Sequence, residues 1–258
     1  MKKLTLLVAT TLLTGQAFAA ETYIRNGQIY THEGRWVAEA GAVIGSKLYK
    51  GQDHTVAPLL NFGYHGEDLN VDFGGINYRF LGQTGDTVNV SAYLGSSALG
   101  YKSDDADILK SMDKRDISLD LGLNVDFAVS PQGTISTYFQ HDVTNAYGGY
   151  LAGVKYFHVM NLGKLDLVPF AGVTYQSSDY VDYYFGVKDK EANSTRKAYE
   201  GGSDFAYNLG YKMILPLSTN WEVTQTTTYT RLGSDISDSP LVDSANQWLF
   251  GATVAYHF

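Results

Sequence analysis

From Arg115 onward the chain repeats one pattern, runs of about ten to fifteen residues in which apolar and polar side chains alternate, separated by turn-like clusters. In the clearest run Ile117, Leu119, Leu121, Leu123, Val125, Phe127 and Val129 share one face, and Ser118, Asp120, Gly122, Asn124, Asp126 and Ala128 share the other. A two-residue period means a strand with one apolar and one wet face, because successive side chains of an extended chain point to opposite sides. The pattern returns at Phe205, Tyr207, Leu209, Tyr211, Met213 and Leu215, and again at the C-terminus as Trp248, Phe250, Ala252, Val254, Tyr256 and Phe258. Upstream, Val56, Pro58, Leu60, Phe62, Tyr64 and Val88, Val90, Ala92, Leu94 keep it over shorter stretches. Between Leu69 and Phe80 the apolar phase switches from odd (Leu69, Val71, Phe73) to even (Ile76, Tyr78, Phe80), with Gly74-Gly75 at the switch. A β-bulge there is expected to restore the facing, since a one-residue slip turns every side chain over.

Alternating strands in an exported chain fit a soluble β-sandwich or a transmembrane β-barrel, and the connections separate the two. Counting back from the C-terminus, 233–244 is long, 218–220 tight, 177–201 long, 161–164 tight, 145–149 moderate, 130–133 tight, 101–114 long and 81–85 short. Tight turns at one end and long loops at the other are the asymmetry of an outer-membrane barrel. The fold expected is therefore all-β, a transmembrane antiparallel up-and-down β-barrel. Eleven runs follow Trp36, and Thr22–Thr31 can supply a twelfth; twelve strands are expected, with ten the alternative. Composition agrees. A mean hydropathy of −0.17 and the lack of an apolar run of roughly 18 residues in the body of the chain exclude a helical membrane protein. The absence of cysteine excludes disulfides and cysteine-based zinc sites.

The first residues carry Lys2 and Lys3, an apolar stretch from Leu4 to Leu13, and small residues around Ala17-Phe18-Ala19. This is the layout of a secretory signal peptide, expected at 1–19, with the barrel at 20–258. Loss of the two lysines takes the formal charge of −8 to −10, the wrong sign for a nucleic-acid binder. Aromatics fall where strands should cross the two interfaces: Trp36, Tyr64, Tyr78 with Phe80, Tyr175, Trp221, Tyr229, Trp248, Tyr256 and Phe258.

The terminal stretch, with Trp248, Phe250, Val254, Tyr256 and a final Phe258, resembles the signal read by the outer-membrane barrel assembly machinery. Ser178-Asp179-Tyr180 with Tyr183-Tyr184-Phe185-Gly186-Val187, Glu191-Ala192 and Tyr199 resembles a block of the MipA/OmpV family (MltA-interacting protein / outer membrane protein V). Asp238-Ser239-Pro240-Leu241-Val242 and Met112-Asp113-Lys114-Arg115-Asp116 are similar to the same family, and the likeness covers essentially the whole mature chain. The resemblance implies an integral outer-membrane barrel. For the MltA-interacting branch it implies a scaffold joining a murein lytic transglycosylase to a murein synthase; for the outer membrane protein V branch, surface adhesion to host components and a role in envelope stress.

Neither catalysis nor a cofactor or metal is expected. The histidines His32, His54, His65, His141, His158 and His257 lack zinc-protease spacing, and alternation puts His141 and Asp142 on opposite faces. Asp238-Ser239-Pro240 reads as a turn, with Pro fixing φ and the side-chain oxygens bonding nearby backbone. The polar faces nominate Asp120, Asn124, Asp126, Asp142, Lys155, Asp204, Asn208, Lys212 and Glu222 as lumen-lining residues, with carboxylates in excess. An open lumen of this kind favours small cations; a plugged one is the alternative. The long loops nominate Tyr183, Tyr184, Phe185, Arg196, Asp238, Ser239 and Pro240 as contacts for lipopolysaccharide or a protein partner.

Overall fold

In the computed structural model, residues 22–52, 55–98 and 100–258 are described; the segment read as a signal peptide, 1–19, lies outside them. Each alternating run becomes a strand. A short hairpin, β1 (Tyr23–Arg25) and β2 (Gln28–Tyr30), precedes β3 (Arg35–Gly45), β4 (Thr55–His65), β5 (Leu69–Asp72), β6 (Gly75–Leu81) and β7 (Val88–Gly95). Then follow β8 (Asp120–Ala128), β9 (Gly133–Asp142), β10 (Tyr150–His158), the two-residue β11 (Met160–Asn161) and β12 (Asp166–Gln176). Helix α1 (Ser178–Phe185), β13 (Asp204–Pro216), β14 (Trp221–Leu232), helix α2 (Ser234–Ser237) and β15 (Asn246–His257) complete the chain.

Among the described residues twelve strands, β3 to β10 and β12 to β15, pair antiparallel in a closed ring. One seam joins β15 to β3 from Leu249↔Gly45 to His257↔Val37; another joins β10 to β12 from Leu151↔Gln176 to Phe157↔Phe170. Closure leaves apolar side chains outside and polar ones inside: Leu121 and Leu123 are exposed while Asp120, Asn124 and Asp126 are buried. Rings gather at both rims. Trp36 meets Phe62 and Tyr64, and Tyr256 meets Trp221 and Phe258, at the short-turn end. Tyr229 meets Trp248, and Phe139, Tyr150, Tyr175, Phe205 and Tyr207 form a chain of ring contacts, at the long-loop end.

The twelve-strand expectation holds, but the twelfth strand is not residues 22–31. Those residues make the β1–β2 hairpin, a sheet of its own, and the missing strand comes from 69–81, which is two strands rather than one bulged strand. The phase switch at Gly74-Gly75 marks a reversal of the chain. Leu69 lies opposite Tyr78 and Val71 opposite Ile76, and cross-strand partners share a face, so facing is preserved without a bulge there. Gly75 sits at φ 135°, a conformation that glycine adopts freely. The register irregularity lies instead between Arg79 and Leu81.

Because β5 has only four residues, β4 pairs with it only at Tyr64↔Val71 and His65↔Asn70. Above that point the described residues supply no strand to the β5-facing edge of β4, and the wall is notched. The hairpin tip is tied across the notch by the Phe73 N–H, which donates to Asn61 Oδ1 at 3.1 Å.

Candidate functional site

The interior is closed from both ends, by different segments. At the short-turn, periplasmic end the β1–β2 hairpin lies inside the barrel. Asn26 and Gly27, at φ 54° and 66°, form a two-residue turn between Arg25 and Gln28, the conformation that Asn-Gly favours. The tip is caught by Asp126 on β8, whose carboxylate accepts from Asn26 N–H at 2.6 Å, Gly27 N–H at 3.3 Å and the Ser136 hydroxyl. Lower down, Thr22 donates to Asp166 at 2.6 Å and Thr31 to Glu222 at 3.0 Å, while Arg25 reaches Gly66 O, Glu33 and Thr84 in the periplasmic connections. Ile24 and Ile29 rest on the buried cluster Phe157, Val168, Phe170 and Ile214.

At the other end the long loops fold into a cap with its own core. Ser177 caps α1, accepting from Tyr180 N–H, and the helix buries Tyr180, Val181, Tyr184 and Phe185 against Tyr147, Leu151, Leu232, Ile236 and Val242. A second cluster joins Tyr101, Leu109, Met112, Val187 and Leu241. Between the loops lies a buried bidentate ion pair: Arg115 Nη1 and Nη2 donate to Glu191 Oε1 and Oε2 at 3.0 and 2.9 Å, with both side chains about 2% exposed. Arg115 Nε also donates to Tyr183 O at 2.7 Å, and its guanidinium lies over the Tyr101 and Tyr183 rings. Burial pushes the Glu191 carboxyl up, but Arg115 and the N–H groups of Lys188 and Asp113 outweigh it and hold the group at about 2. Burial likewise raises the Tyr101 and Tyr184 hydroxyls to about 12, so both remain neutral at physiological pH. Arg196 is buried as well, donating to the carbonyls of Glu191, Lys110 and Ile108.

A polar cavity of about 360 Å³ separates plug from cap, lined by Asn26, Gln28, Asn77, Asn124, Gln140, Lys155, Gln176, Asn208 and neighbours. Beside it a cavity of about 380 Å³ runs from Glu39 and Lys212 on the lumen face to Leu60 and Phe73 on the lipid face, through the notch.

Of the nominated lumen residues, Asn124, Lys155, Asn208 and Lys212 line these cavities. The acids do not line open water. Asp126 holds the plug; Glu222 lies at the periplasmic rim. Asp142 accepts from the N–H groups of Thr144, Tyr147 and Gly148; Asp120 accepts from the Tyr147 hydroxyl; Asp204 accepts from Ile236 N–H at the start of α2. Strand ends need acceptors for the backbone donors of the loops that follow, which places these acids at the outer rim. Among the described residues Lys155 is the one charged residue lining the chamber between plug and cap, and its ammonium sits 5.3 and 5.4 Å from the Phe157 and Phe170 rings. The chamber between plug and cap is therefore not acid-lined, whereas Glu39 and Asp72, with His65 and Lys212, line the cavity at the notch.

The loop nominations divide in the same way. Tyr184, Phe185, Arg196 and Ser239 are buried inside the cap, because long loops that order themselves need a core and internal donors. Ser239 donates to Phe185 O at 2.6 Å, in the turn expected of Asp-Ser-Pro. Asp238 is exposed and Tyr183 and Pro240 partly so. Trp248, Phe250 and Val254 are exposed on β15 and Phe258 just beyond its end, with Tyr256 half-buried among rings. Sequence reasoning missed two features that were there to be read: Asn26-Gly27 as a hairpin turn, and the Ser177 cap followed by Tyr180, Val181, Tyr184 and Phe185 at helical spacing. It placed Glu222 on the lumen face but missed its meeting with His32 and His257 at the periplasmic rim, which depends on long-range closure and leaves no local pattern.

Residues 39–258 match the family model described as MltA-interacting protein MipA. The chain is 62% identical to outer membrane protein Omp26La of Vibrio anguillarum and 61% identical to outer membrane protein OmpV of Vibrio cholerae, each over the full length of both chains. It is 26% identical to the MltA-interacting protein of Escherichia coli, over 88% of this chain and 91% of that one. With a closed twelve-strand wall, outward apolar faces and two aromatic girdles, the protein is an outer-membrane β-barrel, and it belongs to the MipA/OmpV family.

Proposed function

We propose that the protein is a non-enzymatic binding platform of the outer membrane whose working surface is the outer cap, in the manner of a surface adhesin. The observation that carries this reading is the folded state of the long loops. They share aromatic clusters and the Arg115–Glu191 pair, so the surface they display is preorganised, and a preorganised surface loses less entropy on binding. Six lysines are exposed on the two loops: Lys102, Lys188 and Lys197, and Lys110, Lys114 and Lys190 in surface ion pairs with Asp107, Asp116 and Asp113, together suited to the phosphates of lipopolysaccharide or to acidic host-surface components. A passive pore is disfavoured by the plug, which occupies the axis.

The test is adhesion of cells displaying the protein with these six lysines replaced by glutamine. Adhesion should fall severalfold while surface display is unchanged; undiminished adhesion would remove the cap as the working face. A second reading, a scaffold for murein-processing enzymes, is favoured by the likeness to the MltA-interacting protein of E. coli. The barrel's periplasmic turns are short, whereas a stable interface takes roughly 800 Å² per partner. Affinity capture from solubilised envelope decides it: a lytic transglycosylase and a murein synthase should be recovered together if the scaffold reading holds.

A further inference from the structure

His32, Glu222 and His257 come from three separate places: the segment after the plug hairpin, the start of β14 and the end of β15. One ligand atom of each lies within 4.8 Å of the other two. The Glu222 carboxylate lies against a nitrogen of each ring, with Oε2 3.6 Å from His32 Nδ1 and Oε1 3.4 Å from His257 Nε2. The two imidazoles stack with centroids 4.0 Å apart. Glu222 and His257 are about 3% and 1% exposed, yet Glu222 Oε2 and both ring nitrogens of His257 have no hydrogen-bond partner. Buried polar atoms are ordinarily satisfied, so Glu222 Oε2 and His257 Nε2, unsatisfied in one cluster, require a ligand or an explanation.

We propose that His32, Glu222 and His257 form a binding site for one divalent transition-metal ion, and that the ion clips the plug to the last two strands of the wall. Two imidazoles and one carboxylate are a donor set that zinc, copper and nickel accept. Zinc bonds to nitrogen and oxygen near 2.0 to 2.2 Å would put neighbouring donors roughly 3.3 Å apart, close to the two separations seen here, and leave a fourth position for water. The Thr31 hydroxyl, donating to Glu222 Oε1 at 3.0 Å, supplies the outer support that orients a ligating carboxylate. His32 is held at φ 56°, a left-handed conformation uncommon for most non-glycine residues.

The test uses the mature chain folded in detergent micelles, stripped with chelator and titrated with Zn²⁺. Wild type should bind one ion per chain, and His32→Asn and Glu222→Gln should each weaken binding at least about tenfold. Asn tolerates a positive φ and position 32 lies outside the wall, so His32→Asn leaves the barrel able to fold. Zn²⁺ should also slow protease cleavage within residues 22–33 in wild type and in neither variant. No stoichiometric binding, unchanged affinity in either variant, or binding without slower cleavage overturns the proposal.

Discussion

At the periplasmic mouth a short hairpin is held by separate polar contacts to the wall, at Asp126, Asp166 and Glu222, and packs Ile24 and Ile29 on apolar neighbours and Tyr30 on the His65 ring. At the outer mouth four loops bury tyrosines, leucines and valines against each other and lock an ion pair between them. Both arrangements close the same barrel, yet their cooperativity differs. Removing one contact of the plug leaves the others in place, because each bonds a different strand. Removing one member of the cap's core or its ion pair exposes the whole cluster. The plug is thus the end built to release, and the cap the end built to persist.

Arg115→Met should break this comparison most sharply, by making the cap the labile end. It leaves the Glu191 carboxylate buried without its partner, a loss of about 3 to 5 kcal/mol. Thermal unfolding and protease cleavage within 177–203 should both report it, while the barrel keeps its heat-dependent gel mobility. Replacing both partners by apolar residues should recover most of the loss, since no uncompensated charge then remains. Acid acts on the same pair. The Glu191 carboxyl is depressed from 4.5 to about 2, so its contribution is complete above pH 4.5 and is lost as pH falls toward 2. The full loss is about 3 kcal/mol, reached below pH 2. Cleavage of the cap loops should therefore accelerate across that window in wild type and be nearly flat in the Arg115→Met chain.

The wall is legible in the sequence because lipid on one side and water on the other write a two-residue period into every long strand, as in Ile117 to Val129. What the period does not record is direction. A phase switch at Gly74-Gly75 is equally what a bulge or a reversal leaves behind, and only the pairing of Leu69 with Tyr78 distinguishes them. The interior is less legible still. Alternation says that Asp120, Asp142 and Asp204 face inward, but whether an inward acid meets water or a loop's N–H groups depends on segments distant in sequence. The buried fates of Tyr184, Phe185 and Arg196 follow from the same ignorance: aromatic and basic residues in a loop describe a binding surface and a loop core equally well.

Asp126→Asn tests the plug as Arg115→Met tests the cap. The carboxylate accepts three hydrogen bonds, two from the backbone of the turn. An amide keeps one acceptor oxygen and turns an N–H₂ group toward donors, so docking of the hairpin should weaken by about 1.5 to 3 kcal/mol, the range for hydrogen bonds to a charged group. Hydrogen exchange in residues 23–30 should speed accordingly, while exchange in α1 stays as in wild type. Faster exchange at both ends would mean that plug and cap unfold together, and the contrast between them would fail.

The smallest effect isolates the turn itself. Asn26 and Gly27 both hold positive φ, and a residue with a Cβ other than Asn or Asp loses about 1 kcal/mol or more in that conformation. Asn26→Ala should therefore raise exchange in 23–30 by roughly five- to thirtyfold, keeping the Asp126 contact, which is made by the backbone N–H. Asn26→Gly relieves the conformational strain and removes an amide whose oxygen and nitrogen are buried without partners. The added freedom of glycine in the undocked segment opposes that gain at about 0.5 to 1 kcal/mol, so the glycine variant should exchange close to wild type. If Ala and Gly behave alike, the hairpin is held by its side-chain environment and not by the geometry of its turn, and the plug would be more like the cap than its contacts indicate.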